Sequence, residues 1–213
     1  MSSGSSGRDR RLEKGDRTRR QILDHALRIA STQGFGGLSI GGLARDLELS
    51  KSGLFAHFRS KEKLQLQVMK TGEQRFVDFV VRPALSEPRG EPRLRAIVHR
   101  WSRWALSDGP PGGCLFVAAA SEFDDKPGPL REKLSRTQHD WVATLTRAVA
   151  LCVEEGHFRA DTDPAQVAFE LYSTLLGLHL FHRLLDREDA IDRCQRAIEG
   201  IFTSHRRPPA AHR

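Results

Sequence analysis

Residues 39–63, SIGGLARDLELSKSGLFAHFRSKEK, divide into two short helices joined by a tight turn, with polar and basic groups gathered on the second. Ser39 and Ser50 each stand where a serine oxygen can accept an otherwise unpaired backbone N–H at a helix start. Ile40, Leu43, Ala44 and Leu47 recur at i, i+3, i+4 and i+7, which turns one apolar face inward. Leu49 fills the turn, and Leu54 and Phe58 continue the inner face on the second helix. Lys51, Ser52, Gly53, Phe55 and His57 are left outside, followed by Arg59, Lys61 and Lys63. The expected shape is a reading head for DNA: two helices at a steep angle, the second short enough to lie in a major groove.

The charge is placed to match. The chain of 213 residues carries a net charge of +7, but residues 1–64 hold 13 Lys and Arg against 7 Asp and Glu. Residues 65–213 hold 21 against 20, so nearly all the surplus lies on the DNA-facing part, as phosphate binding requires. Arg8, Arg10, Arg11, Lys14, Arg17, Arg19 and Arg20 concentrate it near the amino end. That run reads as an arm adding salt-sensitive affinity; an ordinary solvated tail would have the same composition.

The stretch from Thr18 to Leu64 resembles the DNA-binding domain of the TetR family of bacterial transcription regulators. The resemblance rests on the Ile22-Leu23-x-x-Ala26 face, the Gly34-Phe35 helix end, Ser39, and Leu43-Ala44. It continues through Ser50-Lys51-Ser52-Gly53-Leu54-Phe55-x-His57-Phe58 and Lys61-Glu62-x-Leu64. The remaining two-thirds carries only a generic helical similarity to the family's regulatory domain. The resemblance implies DNA contact through Ser39, Ser50, Lys51, Ser52, Gly53, Leu54, Phe55, His57 and Lys61. Within that set Lys51, Ser52, Gly53 and Phe55 would approach base or sugar edges, with Lys51 equipped to donate to guanine. Ser39, His57 and Lys61 would hold the phosphate backbone, aided by the helix N-termini at Ser39 and Ser50.

Two positions depart from the family pattern. Glu48 stands where glycine is common, and a left-handed backbone there costs a non-glycine residue on the order of 1 kcal/mol. Phe55 stands where tyrosine is common, so a phenol-to-phosphate hydrogen bond is replaced by packing alone. Gly41 and Gly42 lower the propensity of the first short helix by roughly 1 kcal/mol each relative to alanine, and leave room for close backbone approach to a phosphate.

Elsewhere proline and glycine punctuate a helical chain. Helices are expected at about 16–32, 61–81 (stopped by Pro83), 92–106, 114–123, 129–155, 163–185 and 188–202, besides the two in the reading head. Gly34 ends the first, and Asp163 caps the 163–185 helix with Pro164 at its first position. The fold class is therefore all-α, nine helices without a sheet. The expected organisation is a flexible basic arm (1–15), a helix-turn-helix domain (16–63), an effector-binding and dimerisation domain (64–204) and a disordered tail (205–213), with the Ser/Gly-rich MSSGSSG outside the fold.

Trp101, Trp104, Phe116, Phe123, Trp141, Leu145 and Phe169 fall on helices surrounding the middle of the larger domain. An aromatic-lined cavity for an apolar effector competes here with plain core packing. The expected lining residues are Trp101, Trp104, Phe116, Trp141, Tyr172 and His179, and His99, Glu122 and His139 are further polar candidates. Phe169, Leu175, Leu176, Leu178, Leu180 and Phe181 give the 163–185 helix more apolar surface than one inward face needs. Ile191, Cys194, Ile198, Ile201 and Phe202 form a matching stripe on the last helix, so two copies of this pair could bury the excess as a four-helix bundle. Family resemblance points the same way, to a homodimer through the last two helices facing a palindromic double-stranded operator, its reading helices about 34–36 Å apart.

Other classes have little support. Cys114, Cys152 and Cys194 form no CxxC pair and are odd in number, as expected of buried thiols in a reducing cytoplasm. No apolar run approaches the roughly 20 residues that span a bilayer, and the start lacks a signal-peptide core, so neither a membrane partner nor export is expected. His179-x-x-His182 is too sparse a set for zinc, and no metal or cofactor is expected. Lacking GxSxG, HExxH and any phosphate loop, the chain does not read as an enzyme. The reading is a ligand-responsive transcriptional regulator, a repressor released by a small molecule. The alternative is a small-molecule-binding helical dimer whose sequence-specific DNA binding is weak or lost through Glu48 and Phe55.

Overall fold

The computed structural model describes residues 5–208, and among these it contains nine helices and no strand beyond an isolated bridge between Phe158 and Arg206. Helix α1 (Ser5–Gln33) buries Ile22, Leu23, Ala26, Leu27 and Ala30 and ends at Gly34, whose φ of +74° is the left-handed turn glycine permits. It begins at Ser5 and not near Asp16. The intervening run carries the helix formers Arg8, Arg10, Arg11, Leu12, Glu13 and Lys14 and no proline, and the helix continues through Gly7 and Gly15 toward the amino end. Residues 5–15 of the expected arm are thus helical, and its residues 1–4 lie outside the described residues.

Helices α2 (Ile40–Asp46) and α3 (Lys51–Phe58) form the helix-turn-helix. Both expected caps are made: Ser39 Oγ accepts the Gly42 N–H, and Ser50 Oγ the Gly53 N–H, each at 3.0 Å. Leu43, Ala44, Leu54 and Phe58 close the core between them. In the turn Glu48 takes φ +54°, while the Leu49 N–H reaches the Ala44 carbonyl at 2.8 Å. The left-handed residue is therefore part of a hydrogen-bonded helix stop, occupied by a side chain in glycine's usual place.

Helix α4 (Lys61–Phe76), capped by Ser60, continues through a π-helical segment (Val77–Val81) and a last turn (Arg82–Ala84). Pro83 does not stop it outright. Its ring would meet the carbonyl four residues back in a regular helix, and the wider π turn just before it relieves that conflict. Helix α5 (Glu91–Arg103) likewise runs on into a π-helical segment (Trp104–Asp108). Helices α6 (Leu115–Phe123), α7 (Pro129–Glu154), α8 (Pro164–Arg183) and α9 (Ala190–His205) complete the larger domain. Asp163 caps α8 through the Ala165 N–H at 2.9 Å. Helices α8 and α9 pair, α5 and α7 pack against α8, and α4, α5 and α6 pack against α7.

The tail is ordered further than expected. Arg207 N–H donates to the His157 carbonyl and Arg159 N–H to the His205 carbonyl, both at 2.9 Å. Arg206 pairs with Glu91, whose carboxyl is desolvated by partial burial yet held below the usual range by Arg206 and Arg95. These contacts fix residues 205–208, and 209–213 lie outside the described residues. Replacing Glu48 with glycine removes left-handed strain but loosens the unfolded chain. The balance is an expected gain of roughly 0.5–1 kcal/mol, read as a higher denaturant midpoint at unchanged slope.

Candidate nucleic-acid interface and effector cavity

Helix α3 presents its first turn to solvent. Lys51, Ser52 and Gly53 are exposed, as is Phe55 at 53 %, while Leu54 is at 0 %. Leu54 thus leaves the expected DNA-contacting set: it faces inward one residue from Phe55 and holds α3 to the core. Ser39 and Ser50 spend an oxygen lone pair on their caps, and Ser50 Oγ lies 3.2 Å from Ser52 Oγ. The space beside Gly41 is partly taken by the Lys51 stem, whose Cε would lie 3.5 Å from an added Cβ. His57 is half-buried with its ring tilted against Phe58. Lys61, exposed in the first turn of α4, donates from Nζ to the Gly36 carbonyl at 3.1 Å.

Arg19 belongs to this surface in a way its place among the basic residues did not convey. Its Nη1 donates to the His57 carbonyl at 2.9 Å, and its guanidinium lies 4.9 Å from the Phe58 ring centre. It neutralises carbonyls at the C-terminal end of α3 and fixes that helix against α1. The available signal was its register, one turn before the buried Ile22.

The larger domain encloses a cavity of ≈ 80 Å³ that opens to the surface. Its wall is built by α4 (Glu73, Phe76), the π segment (Val77, Val81), α5 (Trp101), the start of α6 (Cys114, Phe116), α7 (Thr137, Gln138, Asp140, Trp141, Thr144) and α8 (Tyr172). The rings meet edge to face: Phe76 and Trp141 at 4.9 Å, Phe76 and Phe116 at 6.3 Å, Trp101 and Tyr172 at 6.3 Å, Trp141 and Tyr172 at 6.2 Å. Tyr172 OH donates to Gln138 Oε1 at 2.9 Å, and burial raises its pKa, so the phenol stays protonated. Trp141 Nε1 is buried without a hydrogen-bond partner. Burial also pushes the Cys114 thiol up, leaving it an inert apolar group.

Of the six expected lining residues, Trp101, Phe116, Trp141 and Tyr172 meet at this cavity and two do not. Trp104 packs behind the wall against Phe76 and Phe79, at 5.8 Å from each. His179 lies beneath Gly113, where burial and the neighbouring Arg183 and His182 charges hold its pKa down. Phe169 points away altogether, 67 % exposed.

Two elements join the cavity to the DNA head. Helix α4 runs from Lys61 to the wall. Helix α6 starts in the wall and ends on the turn after α1, where Glu122 accepts the Phe35 N–H at 2.8 Å and the Gly36 N–H at 2.7 Å. Phe123 meets Phe35 edge-on at 5.6 Å, Gln65 Nε2 donates to the Phe35 carbonyl at 2.8 Å, and Ser31 Oγ receives the Gly112 N–H at 3.2 Å.

A capped helix-turn-helix fused to a helical domain with an aromatic cavity defines a ligand-responsive DNA-binding regulator. The description "Bacterial regulatory proteins, tetR family" matches residues 22–68, and "Tetracyclin repressor-like, C-terminal domain" matches residues 90–198. The chain belongs to the tetR family of bacterial regulatory proteins. It is 24 % identical to the HTH-type transcriptional repressor NemR of Escherichia coli K12 over 191 residues, 88 % of this chain and 94 % of that one. It is 28 % identical to the HTH-type transcriptional regulator TcmR of Streptomyces glaucescens over 208 residues, covering 84 % and 91 %. In fold it is similar to a TetR-family regulator from Cytophaga hutchinsonii, with TM-score 0.81, 20 % identity and coverage of 92 % and 98 %. It also resembles AibR, solved with isovaleryl coenzyme A and operator DNA, with TM-score 0.68, 21 % identity and coverage of 90 % and 99 %. These relatives are regulators, and no helix among the described residues is long and apolar enough to cross a membrane.

Because Glu122 makes two charge-assisted bonds in a partly solvated place, Glu122→Ala should lower stability by about 1–3 kcal/mol in a denaturant melt. Glu122→Gln, which keeps one carbonyl acceptor, should fall between the two.

Proposed function

We propose that this chain is a cytoplasmic repressor that binds a palindromic operator as a homodimer and releases it when a small molecule fills the aromatic cavity. The observation that carries this reading is the α6 connection. The helix whose start forms the cavity wall ends in the carboxylate that holds the α1–α2 turn of the DNA head. An effector loosens DNA only if it binds the DNA-incompetent arrangement more tightly than the competent one. Pressure on Cys114 and Phe116 acts on the same helix that positions Glu122, while α4 gives a second path from Phe76 to Lys61.

Lys51, Ser52, Gly53 and Phe55 are the base-reading set, with Ser39, Ser50, His57 and Lys61 on the phosphates and Arg19 fixing the angle of α3. The alternative of a degenerate DNA head draws on Phe55, which offers no phenol. The two formed caps, the hydrogen-bonded turn at Glu48 and the exposed Lys51 favour retained DNA binding. A gel shift against DNA flanking the chain's own gene, at two salt concentrations, tests the choice: a specific, salt-sensitive complex supports the repressor, and indifference to sequence supports the alternative. Lys51→Ala should weaken specific binding by about 1–3 kcal/mol and relax one base pair in a binding-site selection.

Dimerisation is read from an unpartnered apolar face. Phe169, Leu180, Phe181, Leu184 and Leu185 are all exposed on α8 and the turn after it, Leu184 at 71 %. Large apolar side chains left in water on one element suit a surface that a partner covers. Phe181→Glu should place a charge in the pairing surface and shift the protein to a monomer in sedimentation velocity, with operator affinity lost in parallel.

A further inference from the structure

Resting on the reading of this cavity as the effector site, we infer that its ligand is a compact aromatic cation, a monocation such as an arylammonium, and not an anion. The cavity wall contains two carboxylates, Glu73 and Asp140, and no Lys, Arg or His. This is the reverse of the whole chain, which has 34 Lys and Arg against 27 Asp and Glu. Lys133 approaches from behind the wall but is engaged: its Nζ lies 2.5 Å from Glu73 Oε2, and Thr137 Oγ1 donates to Glu73 Oε1 at 3.3 Å. With Lys133 counted, the site still carries one net negative charge. Asp140, exposed at the mouth, makes no ion pair among the described residues and stands free to meet an incoming cation.

The rest of the wall suits the same chemistry. Phe76, Trp101, Phe116, Trp141 and Tyr172 line it, and the negative quadrupole of an aromatic face attracts ammonium groups and repels anions. The protonated Tyr172 phenol is already donating to Gln138 and adds no charge. Trp141 Nε1, buried and without a partner, is a donor for a neutral oxygen on the same ligand. An anion would find two carboxylates and five aromatic rings, and no cation other than Lys133, which is already paired with Glu73.

Three probes of one shape separate the alternatives: 3-hydroxyphenyltrimethylammonium, its neutral carbon isostere 3-tert-butylphenol, and 3-hydroxybenzenesulfonate. All carry a hydroxyl oxygen, so they differ in charge. Binding to the full chain is read by quenching of tryptophan fluorescence and by titration calorimetry. The cation should bind at least tenfold more tightly than the neutral isostere, and the sulfonate least tightly of the three. Asp140→Asn, an exposed substitution without a packing penalty, should cut the cation-to-neutral ratio several-fold while leaving the neutral probe unchanged. Glu73→Gln should cut it further, because Lys133 is then unopposed. Equal binding of cation and neutral probe, tighter binding of the sulfonate, an unchanged ratio in Asp140→Asn, or no binding of the cation at millimolar concentration overturns the inference. A gel shift on the same preparation keeps the two ideas apart: charge preference without operator release removes the regulatory reading, and release by a neutral or anionic probe removes this one.

Discussion

The bonds from the Phe35 and Gly36 N–H groups to Glu122 are the constraint on which the coupling of the two halves depends. Helix α1 has stopped at Gly34, so these amides lie beyond its hydrogen-bonded ladder and need an acceptor. A carboxylate reaching across from α6 supplies both at once, with charge-assisted strength. The surrounding contacts repeat the same connection in weaker forms: Gln65 on the Phe35 carbonyl, Phe123 against the Phe35 ring, Gly112 on Ser31. Together they make the turn before α2 a shared part of both domains, so a displacement of α6 is felt by the reading head.

The cavity survives in a packed helical domain because its walls are held from behind. Phe76 is braced by Trp104 at 5.8 Å, and Leu145, Leu171 and Leu175 are buried in the core on the flanking helices. Aromatic rings meeting edge to face leave space that aliphatic side chains would fill by adjusting their rotamers. The π-helical segment contributes too. Its wider turn places Val77 and Val81 in the wall just where Pro83 forbids the regular hydrogen-bond ladder. One local defect thus serves both the passage of α4 past a proline and the opening of a recess.

How far the sequence discloses this depends on the range of the forces involved. The reading head was legible because caps, turn and apolar spacing are local: Ser39, Ser50, Leu43 and Leu54 each act within a few residues, and even the strain at Glu48 follows from one backbone position. Helix boundaries in the larger domain were legible for the same reason, through Pro129 and Pro164. The start of α1 and the path of α4 past Pro83 were not, since a run of charged helix formers has no fixed end and a π turn has no local signature. Four of the six aromatic and polar lining residues met where expected. Trp104 and His179 did not, because a ring on a helix near a cavity can face the wall, the core or solvent, and only the rotation of the helix decides. Glu122 and Arg19 make long-range contacts between unrelated segments; the register of Arg19 before Ile22 hints at its place, and nothing local distinguishes Glu122 from a solvated charge.

Linkage limits what any effector of such a molecule can do. If filling the cavity weakens operator binding by some factor, the operator must weaken effector binding by the same factor, because the two ligands compete for one conformational equilibrium. The bonds at Glu122 set the scale on one side. A transition that breaks both must recover about 1–3 kcal/mol from new effector contacts or from new partners for those amides, before any change in head spacing is driven. An effector held by ring faces and a single carboxylate has a few kcal/mol to spend on that difference. A shift of 10- to 100-fold in operator affinity, about 1.4–2.8 kcal/mol, is therefore within reach, and an all-or-none switch from one small molecule is not. In the proposed dimer two sites would double the available free energy, which would give symmetric pairing through α8 and α9 a role in regulation as well as in fitting a two-fold operator.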